Sequence, residues 1–88
     1  MVTGFIALAE HTITASASVI ERARVLERLG LRGLDALHLA SAEAGQAELL
    51  VTTDDRFLRR SHRRPAGRGT RVVSPLDALA LIEIEGKS

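Results

Sequence analysis

The 88-residue sequence contains no cysteine, tryptophan or tyrosine, and Phe5 and Phe57 are its only aromatic residues. The absence of cysteine excludes disulfide bonds, thiolate zinc sites and cysteine nucleophiles, and we expect a reducing, cytoplasmic setting. Two phenylalanines do not provide the stacking platforms with which many proteins bind single-stranded bases. Any contact with nucleic acid is therefore predicted to involve the phosphate backbone.

The sequence also lacks an apolar run long enough to cross a bilayer, because the first uncharged stretch covers 9 residues and ends at Glu10. A signal peptide is not predicted, since no basic residue precedes this stretch and Glu10 and His11 interrupt it. The hydrophobic fraction of 45% and the charged fraction of 26% are typical of a folded globular chain. We therefore expect one small domain over residues 1–88.

Acidic residues are absent between Arg56 and Arg71, although the net charge of the chain is only +1. A basic segment of this kind can be a solvated surface. It is also what a polyanionic substrate requires, because phosphate contacts supply much of the affinity for nucleic acids. The candidate phosphate-binding residues in this segment are Arg56, Arg59, Arg60, Arg63 and Arg64.

Hydrophobic periodicity and turn residues predict alternating helices and strands. Helices are predicted from a cap at Ser16 or Ser18 to Gly30, over 34–44, over about 55–60, and from Pro75 to about 83, with strands at 48–53 and 71–74. Residues 1–14 are predicted to form a brief helix and then an extended segment, and residues 61–70 a loop. The alternation predicts an α/β domain with parallel strands and right-handed crossovers.

Two short acidic segments, LDALH at 34–38 and TTDD at 52–55, are predicted to meet in this topology. A crossover helix runs antiparallel to the strand that follows it, so helix 34–44 begins at the sheet edge where strand 48–53 ends. The lengths agree, at roughly 16 Å for the helix and roughly 17 to 20 Å for the strand. We therefore expect Asp35 to lie near Asp54 and Asp55.

This acidic cluster has a functional and a structural interpretation. Carboxylates repel one another unless a proton or a cation joins them, and Mg²⁺ and Mn²⁺ prefer oxygen ligands, so a metal site is one interpretation. In the other, Asp35 favours the positive end of the helix macrodipole and Asp54 caps the helix that follows it. The spacing of the acids alone leaves both open.

Polar residues near the acids have similar alternatives. His38, one turn after Asp35, could assist a site as an auxiliary donor or fill a polar niche in the core. One hydroxyl of Thr52 or Thr53 could hold a phosphate, or it could cap the turn after the strand. His11 and His62 have no partner that can be identified from sequence.

Two segments together resemble a known protein family. They read GLRGLDALHLASAEAGQAELLVTTDDRFLRR (residues 30–60) and VVSPLDAL (residues 72–79). They resemble the carboxyl-terminal half of a PIN domain, the metal-dependent ribonuclease fold of many toxins in bacterial toxin–antitoxin modules, over residues 16–79. The resemblance implies a truncated three-layer α/β fold with a short parallel sheet and flanking helices.

The resemblance also implies roles for individual residues. Asp35 matches one acid of the family and Asp55 best matches the next, so both are expected to bind Mg²⁺ or Mn²⁺. Asp54 adjoins them as a further catalytic acid, and Thr53 matches the threonine of the same motif. The expected activity is the cleavage of RNA, and the expected partners are RNA and an antitoxin protein.

The sequence departs from the family in its first part. PIN domains begin with a strand that ends in an aspartate and carry a glutamate on a later helix, whereas the first 33 residues here have only Glu10, Glu21 and Glu27 as acids. None of these lies in the family's sequence context, so we expect a partial domain with weak metal binding. We also expect the family's central strand to be missing, which would leave strand 48–53 with an exposed edge that a second copy covers in a homodimer or larger oligomer.

Two further functions fit the same residues. One is a catalytically silent oligomerisation or regulatory module that keeps the scaffold of the fold. The other is a small basic module that binds nucleic acid without chemistry.

Overall fold

The structure is a computed structural model that describes residues 6–8, 16–63 and 69–86. Glu10, His11 and the candidate phosphate-binding residue Arg64 lie outside these ranges. The described elements, in chain order, are β1 (Ile6–Leu8), α1 (Ala17–Arg28), α2 (Gly33–Ala44), β2 (Leu49–Val51), α3 (Asp55–Arg63), β3 (Arg71–Val73) and α4 (Pro75–Gly86).

The helix boundaries follow the capping residues. The Ser16 hydroxyl accepts a hydrogen bond from the Val19 backbone N–H at 3.2 Å, which makes Ser16 the cap of α1. Gly30 has a φ of +109°, a left-handed conformation that glycine adopts without steric cost, and it ends the helix as predicted. Pro75 is the first residue of α4, where its missing N–H removes no helical hydrogen bond.

One predicted element and one predicted helix boundary are wrong. Residues 6–8 form a strand where the brief helix was expected, because this uncharged segment pairs with another strand in the sheet. Helix α3 continues to Arg63, so residues 61–63 are not part of a loop. Arginine favours helices, and the basic residues of the last turn stabilise the negative end of the helix macrodipole, which explains the extra length.

The three strands form a parallel sheet in the order β1-β2-β3. Leu50 of β2 pairs with Ala7 on one side and with Val72 on the other. The expectation that strand 48–53 has an exposed edge is therefore wrong, because β2 is the central strand of the described sheet. The reasoning from that edge to a homodimer does not hold, and self-association stays a prediction.

The α/β architecture is confirmed, with helices on both faces of a short parallel sheet. Alternate side chains of β2 point to opposite faces, so Leu50 joins a large core while Leu49 joins a small one. Helices α1, α2 and α3 supply the large core, whose biggest fully buried side chains include Phe57, Leu26 and Leu39. On the other face, α4 contributes Ala78 and the partly buried Leu81.

An ion pair joins α1 to α2 away from the acidic edge. The Arg22 Nε donates to Glu43 Oε1 at 2.7 Å and its Nη2 donates to Oε2 at 3.2 Å, while only 5% of the Glu43 side chain is exposed. The pair helps to fix the orientation of α2, the helix that carries Asp35 at its other end. Within the described ranges, no helix has the length and apolar character needed to cross a membrane.

Candidate active site at the carboxyl edge of the sheet

Asp35 and Asp54, one from each acidic segment, lie near enough for their charges to interact, as the topology predicts. Asp35 is in the first turn of α2, and Asp54 follows the end of β2 and directly precedes α3. The Asp35 side chain is partly buried, whereas Asp54 and Asp55 are exposed. The negative charge of Asp54 acts on Asp35, which places these two carboxylates in one electrostatic environment.

Asp54 has a structural role as well. Its Oδ1 accepts hydrogen bonds from the backbone N–H groups of Arg56 at 2.9 Å and Phe57 at 3.3 Å, so it caps α3 and confirms the structural interpretation of this residue. The buried Thr52 hydroxyl accepts a hydrogen bond from the Asp54 N–H at 3.1 Å, which orders the turn before the helix. Capping occupies one carboxylate oxygen of Asp54 and does not by itself engage the other.

The environment of Asp35 disfavours its charge. Burial is the largest cause that raises the pKa of the Asp35 carboxyl, and the repulsion from Asp54 adds to it. The charge of His38 when its ring is protonated, and the positive charges of Arg60 and Arg32, oppose this increase. A cation placed between the two carboxylates would reduce their repulsion, so this edge of the sheet has the electrostatic character of a cation site.

Arg32 is not among the site residues predicted from the sequence. It is the N-cap residue of α2 and lies three positions before Asp35, on a different element from the arginines of α3. Its charge acts on Asp35 together with that of Arg60, so basic side chains approach the acidic edge from two directions. Its position in the link before the acidic helix could have identified it.

His38 is almost enclosed by the protein, with 9% of its surface exposed, and its Nδ1 has no hydrogen-bond partner among the described residues. Burial is the main cause that lowers the pKa of the imidazole, while the charge of Asp35 acts in the opposite direction. The ring is therefore neutral at neutral pH. This environment is that of a core histidine next to the acidic edge, and its auxiliary role stays a prediction.

The other predicted site residues lie on the exposed surface of the same edge or along α3. Asp55 is the first residue of α3, and Thr53 precedes the Asp54 cap. Among the arginines, Arg60 is partly buried, and the exposed members are Arg56, Arg59 and Arg63. The proposed phosphate-binding role of these residues stays a prediction, and Arg64 is outside the described residues.

His62 has a partner that the sequence did not reveal. Its Nε2 lies 3.3 Å from the backbone carbonyl oxygen of Val72, so the end of α3 contacts β3. The contact joins two segments that are ten residues apart in sequence. His62 therefore connects the basic helix with the sheet and lies outside the acidic cluster.

The donor set for a metal ion is small. Within the described ranges, no group of three or more histidine or acidic side chains is arranged to hold a metal. The carboxylates of Asp35 and Asp54 are hard oxygen donors of the kind that Mg²⁺ and Mn²⁺ prefer. Mg²⁺ is often held by one or two protein carboxylates together with water and substrate phosphate, so the donors fit in type and form a minimal set.

Comparison with known proteins assigns the chain to a family. No curated protein and no solved structure gives a significant match. The family described as PIN domain matches residues 2–63, which is more than half of the chain. The match includes β1 and ends at the last residue of α3, so it starts and stops earlier than the predicted range of 16–79. The chain therefore belongs to the PIN domain family, a family of the nuclease type.

Proposed function

We propose that the chain cleaves RNA phosphodiesters in the presence of a divalent cation, and that it corresponds to the carboxyl-terminal half of the family domain. The observation that carries this proposal is the position of two carboxylates at one edge of the sheet: Asp35 lies in the first turn of α2, and Asp54 lies between β2 and α3, near enough for its charge to act on Asp35. Two carboxylates beside basic side chains are suited to a cation and to the phosphate that it contacts.

The residues at this edge have separable tasks. Asp35 and Asp54, with the neighbouring Asp55, would hold Mg²⁺ or Mn²⁺. When bound there, the cation would supply a Lewis acid to an oxygen of the phosphodiester. The binding is weak in this proposal, because few protein ligands compete with the hydration shell of the ion.

The basic residues hold the polyanion. Arg60 and Arg32 are the closest candidates, because their charges already act on Asp35. The exposed Arg56, Arg59 and Arg63 extend the positive surface along α3, and Thr53 offers a hydroxyl beside the acids. These contacts bind the backbone and carry no base specificity, which agrees with the shortage of aromatic residues.

The decisive experiment measures Mn²⁺ binding by titration calorimetry and RNA cleavage with Mn²⁺ or with a chelator. Wild type should bind Mn²⁺ and cleave faster with it, and Asp35→Asn should lose both. Asp77→Asn is a matched control, because Asp77 is an exposed acid in the first turn of another helix, α4. Equal Mn²⁺ binding by wild type and Asp35→Asn would exclude this cation site.

The biological setting is also part of the proposal. The resemblance of residues 30–60 to PIN-type toxins favours a cytoplasmic toxin of a toxin–antitoxin module, with RNA as substrate and an antitoxin protein as partner. Expression of the chain alone should inhibit growth, and co-expression of the protein encoded by the neighbouring gene should relieve this inhibition. Growth that is unaffected by induction of an RNA-cleaving chain would argue against the toxin role.

A silent scaffold that self-associates is the second candidate function. The small metal donor set favours it, since no group of three or more acidic or histidine side chains in the described ranges is arranged to hold a metal ion. Light scattering would give the mass of a dimer or a larger oligomer. Self-association without Mn²⁺ binding or RNA cleavage would establish this function in place of the nuclease. RNA binding that survives Asp35→Asn but is lost in Arg60→Ala would instead indicate a basic binding module.

A further inference from the structure

Helix α4 exposes an unusual amount of aliphatic surface. Leu76 is 78% exposed, Leu79 52%, Ile82 43% and Ile84 68%. These are four of the seven large hydrophobic residues that the described part of the chain exposes. A helix that is apolar on all sides is normally buried, so this exposure calls for a covering partner.

Part of the exposed surface of α4 is directed away from the sheet. Successive residues of a helix are rotated by about 100°, because a turn contains about 3.6 residues. Ala78 and Leu81 point towards the sheet and join the small core. Leu76, Leu79 and Glu83 therefore lie on the opposite side of α4, where all three are exposed.

The two faces of the sheet are covered unequally. Three helices pack over the face of Leu50, whereas the face of Leu49 has only α4 among the described elements. Ile6 and Val51, on this second face, are only partly buried. Parallel sheets are normally covered on both faces, so the thin cover adds to the exposed apolar surface of α4.

The charges of α4 indicate the chemistry of the partner. The helix contains acidic residues and no lysine or arginine, although the net charge of the whole chain is +1. Glu83 lies in the last turn of α4, where the negative end of the helix macrodipole disfavours a carboxylate, and this turn contains no basic residue. A cation supplied from outside would stabilise both the carboxylate and the helix end.

We infer that the outward face of α4 is a docking surface for an amphipathic helix of a partner protein that carries aliphatic side chains and a lysine or arginine opposite Glu83. The aliphatic side chains of the partner cover Leu76 and Leu79, and its cation pairs with the carboxylate in the last turn. A second copy of α4 is a poor occupant, because it has no lysine or arginine to pair with Glu83. The surface is independent of the proposed nuclease site.

The test uses two blocked helical peptides as probes. Both have leucines at i, i+3 and i+7, and one carries arginines on the flanks of this stripe where its twin carries glutamates. Amide spectra of the full chain should show shifts along α4 with the arginine peptide, and calorimetry should give at least tenfold weaker binding for the glutamate peptide. Glu83→Lys should reverse this preference.

Two variants distinguish binding at this surface from nonspecific hydrophobic binding. Leu79→Ser should weaken binding of the arginine peptide at least tenfold, because it removes an aliphatic side chain that the peptide covers. Leu34→Ser is the matched control, because Leu34 is 61% exposed but lies on α2. This variant should leave peptide binding unchanged. Equal binding of both peptides, or an equal effect of both variants, would overturn the inference. Concentration-dependent shifts of the α4 amides without peptide would also overturn it, because a second copy would then be the occupant.

Discussion

Replacement of Asp54 separates its capping role from its proposed role at a cation. Asp54→Ala removes the acceptor of the two backbone N–H groups at the start of α3, at 2.9 Å and 3.3 Å. Loss of such a cap costs about 1 kcal/mol, within a range of roughly 0.5 to 2. In a domain of this size, about 1 kcal/mol lowers the midpoint of thermal unfolding by about 4 to 8 °C.

Asp54→Asn should behave differently, because asparagine caps a helix about as well as aspartate does. The substitution also removes the charge that repels Asp35. Its free energy of unfolding should therefore stay within about 0.5 kcal/mol of wild type. Urea unfolding with a constant m-value measures both differences, since the midpoint then reports stability alone.

Ser74→Ala is the control for a lost cap without a lost carboxylate. The Ser74 hydroxyl accepts a hydrogen bond from the Asp77 N–H at 3.1 Å at the start of α4. This variant should lose stability as Asp54→Ala does and still bind Mn²⁺, whereas both Asp54 variants should lose Mn²⁺ binding. The reasoning is refuted if Asp54→Asn is as destabilised as Asp54→Ala, or if Asp54→Asn binds Mn²⁺ as wild type does.

Three further predictions concern the groups around the site. Asp35→Asn should raise the unfolding midpoint at pH 7. The folded state raises the pKa of Asp35, so wild type loses stability as pH rises above the unfolded pKa of about 3.9. The difference in midpoint between the variant and wild type should therefore vanish at lower pH. The folded state lowers the pKa of His38 from 6.5, so wild type should lose stability as pH falls below that value. His38→Gln, measured over the same pH series, should lack this loss. An unchanged dependence of stability on pH in the variant would show that His38 does not cause it. Glu43→Gln should lower the free energy of unfolding, measured with urea, by about 2 kcal/mol, because it leaves the partly exposed Arg22 without its ionic partner. A loss under about 0.5 kcal/mol would show that the ion pair is solvated.

Much of the fold follows from local patterns. Ser16, Gly30 and Pro75 mark helix ends because their capping and backbone preferences act within one turn. The strand after Gly45 is predicted by its short apolar run, and the structure keeps its central part as β2. Residues 6–8 were misassigned because their strand conformation depends on pairing with Leu49–Val51, which is distant in sequence.

The candidate site likewise combines features that follow from the sequence with features that depend on the folded chain. Its acids were found from sequence because the crossover geometry places the start of α2 and the end of β2 at one edge of the sheet. The sequence did not show that Arg32 acts on Asp35, because that effect depends on where the link before α2 lies in space. The partner of His62 was missed for the same reason, since β3 contacts it only in the folded chain.

Local sequence patterns were sufficient for the order of helices and strands after residue 16, for the expected proximity of Asp35 to Asp54, and for the resemblance to the PIN family. Three features follow only from the folded chain: Asp54 both caps α3 and repels Asp35, β2 is the central strand of the described sheet, and aliphatic residues of α4 are exposed among the described residues. The difference lies in the range of the interactions. Capping and periodicity act over a few residues, whereas burial, charge coupling and strand pairing depend on contacts between distant parts of the chain.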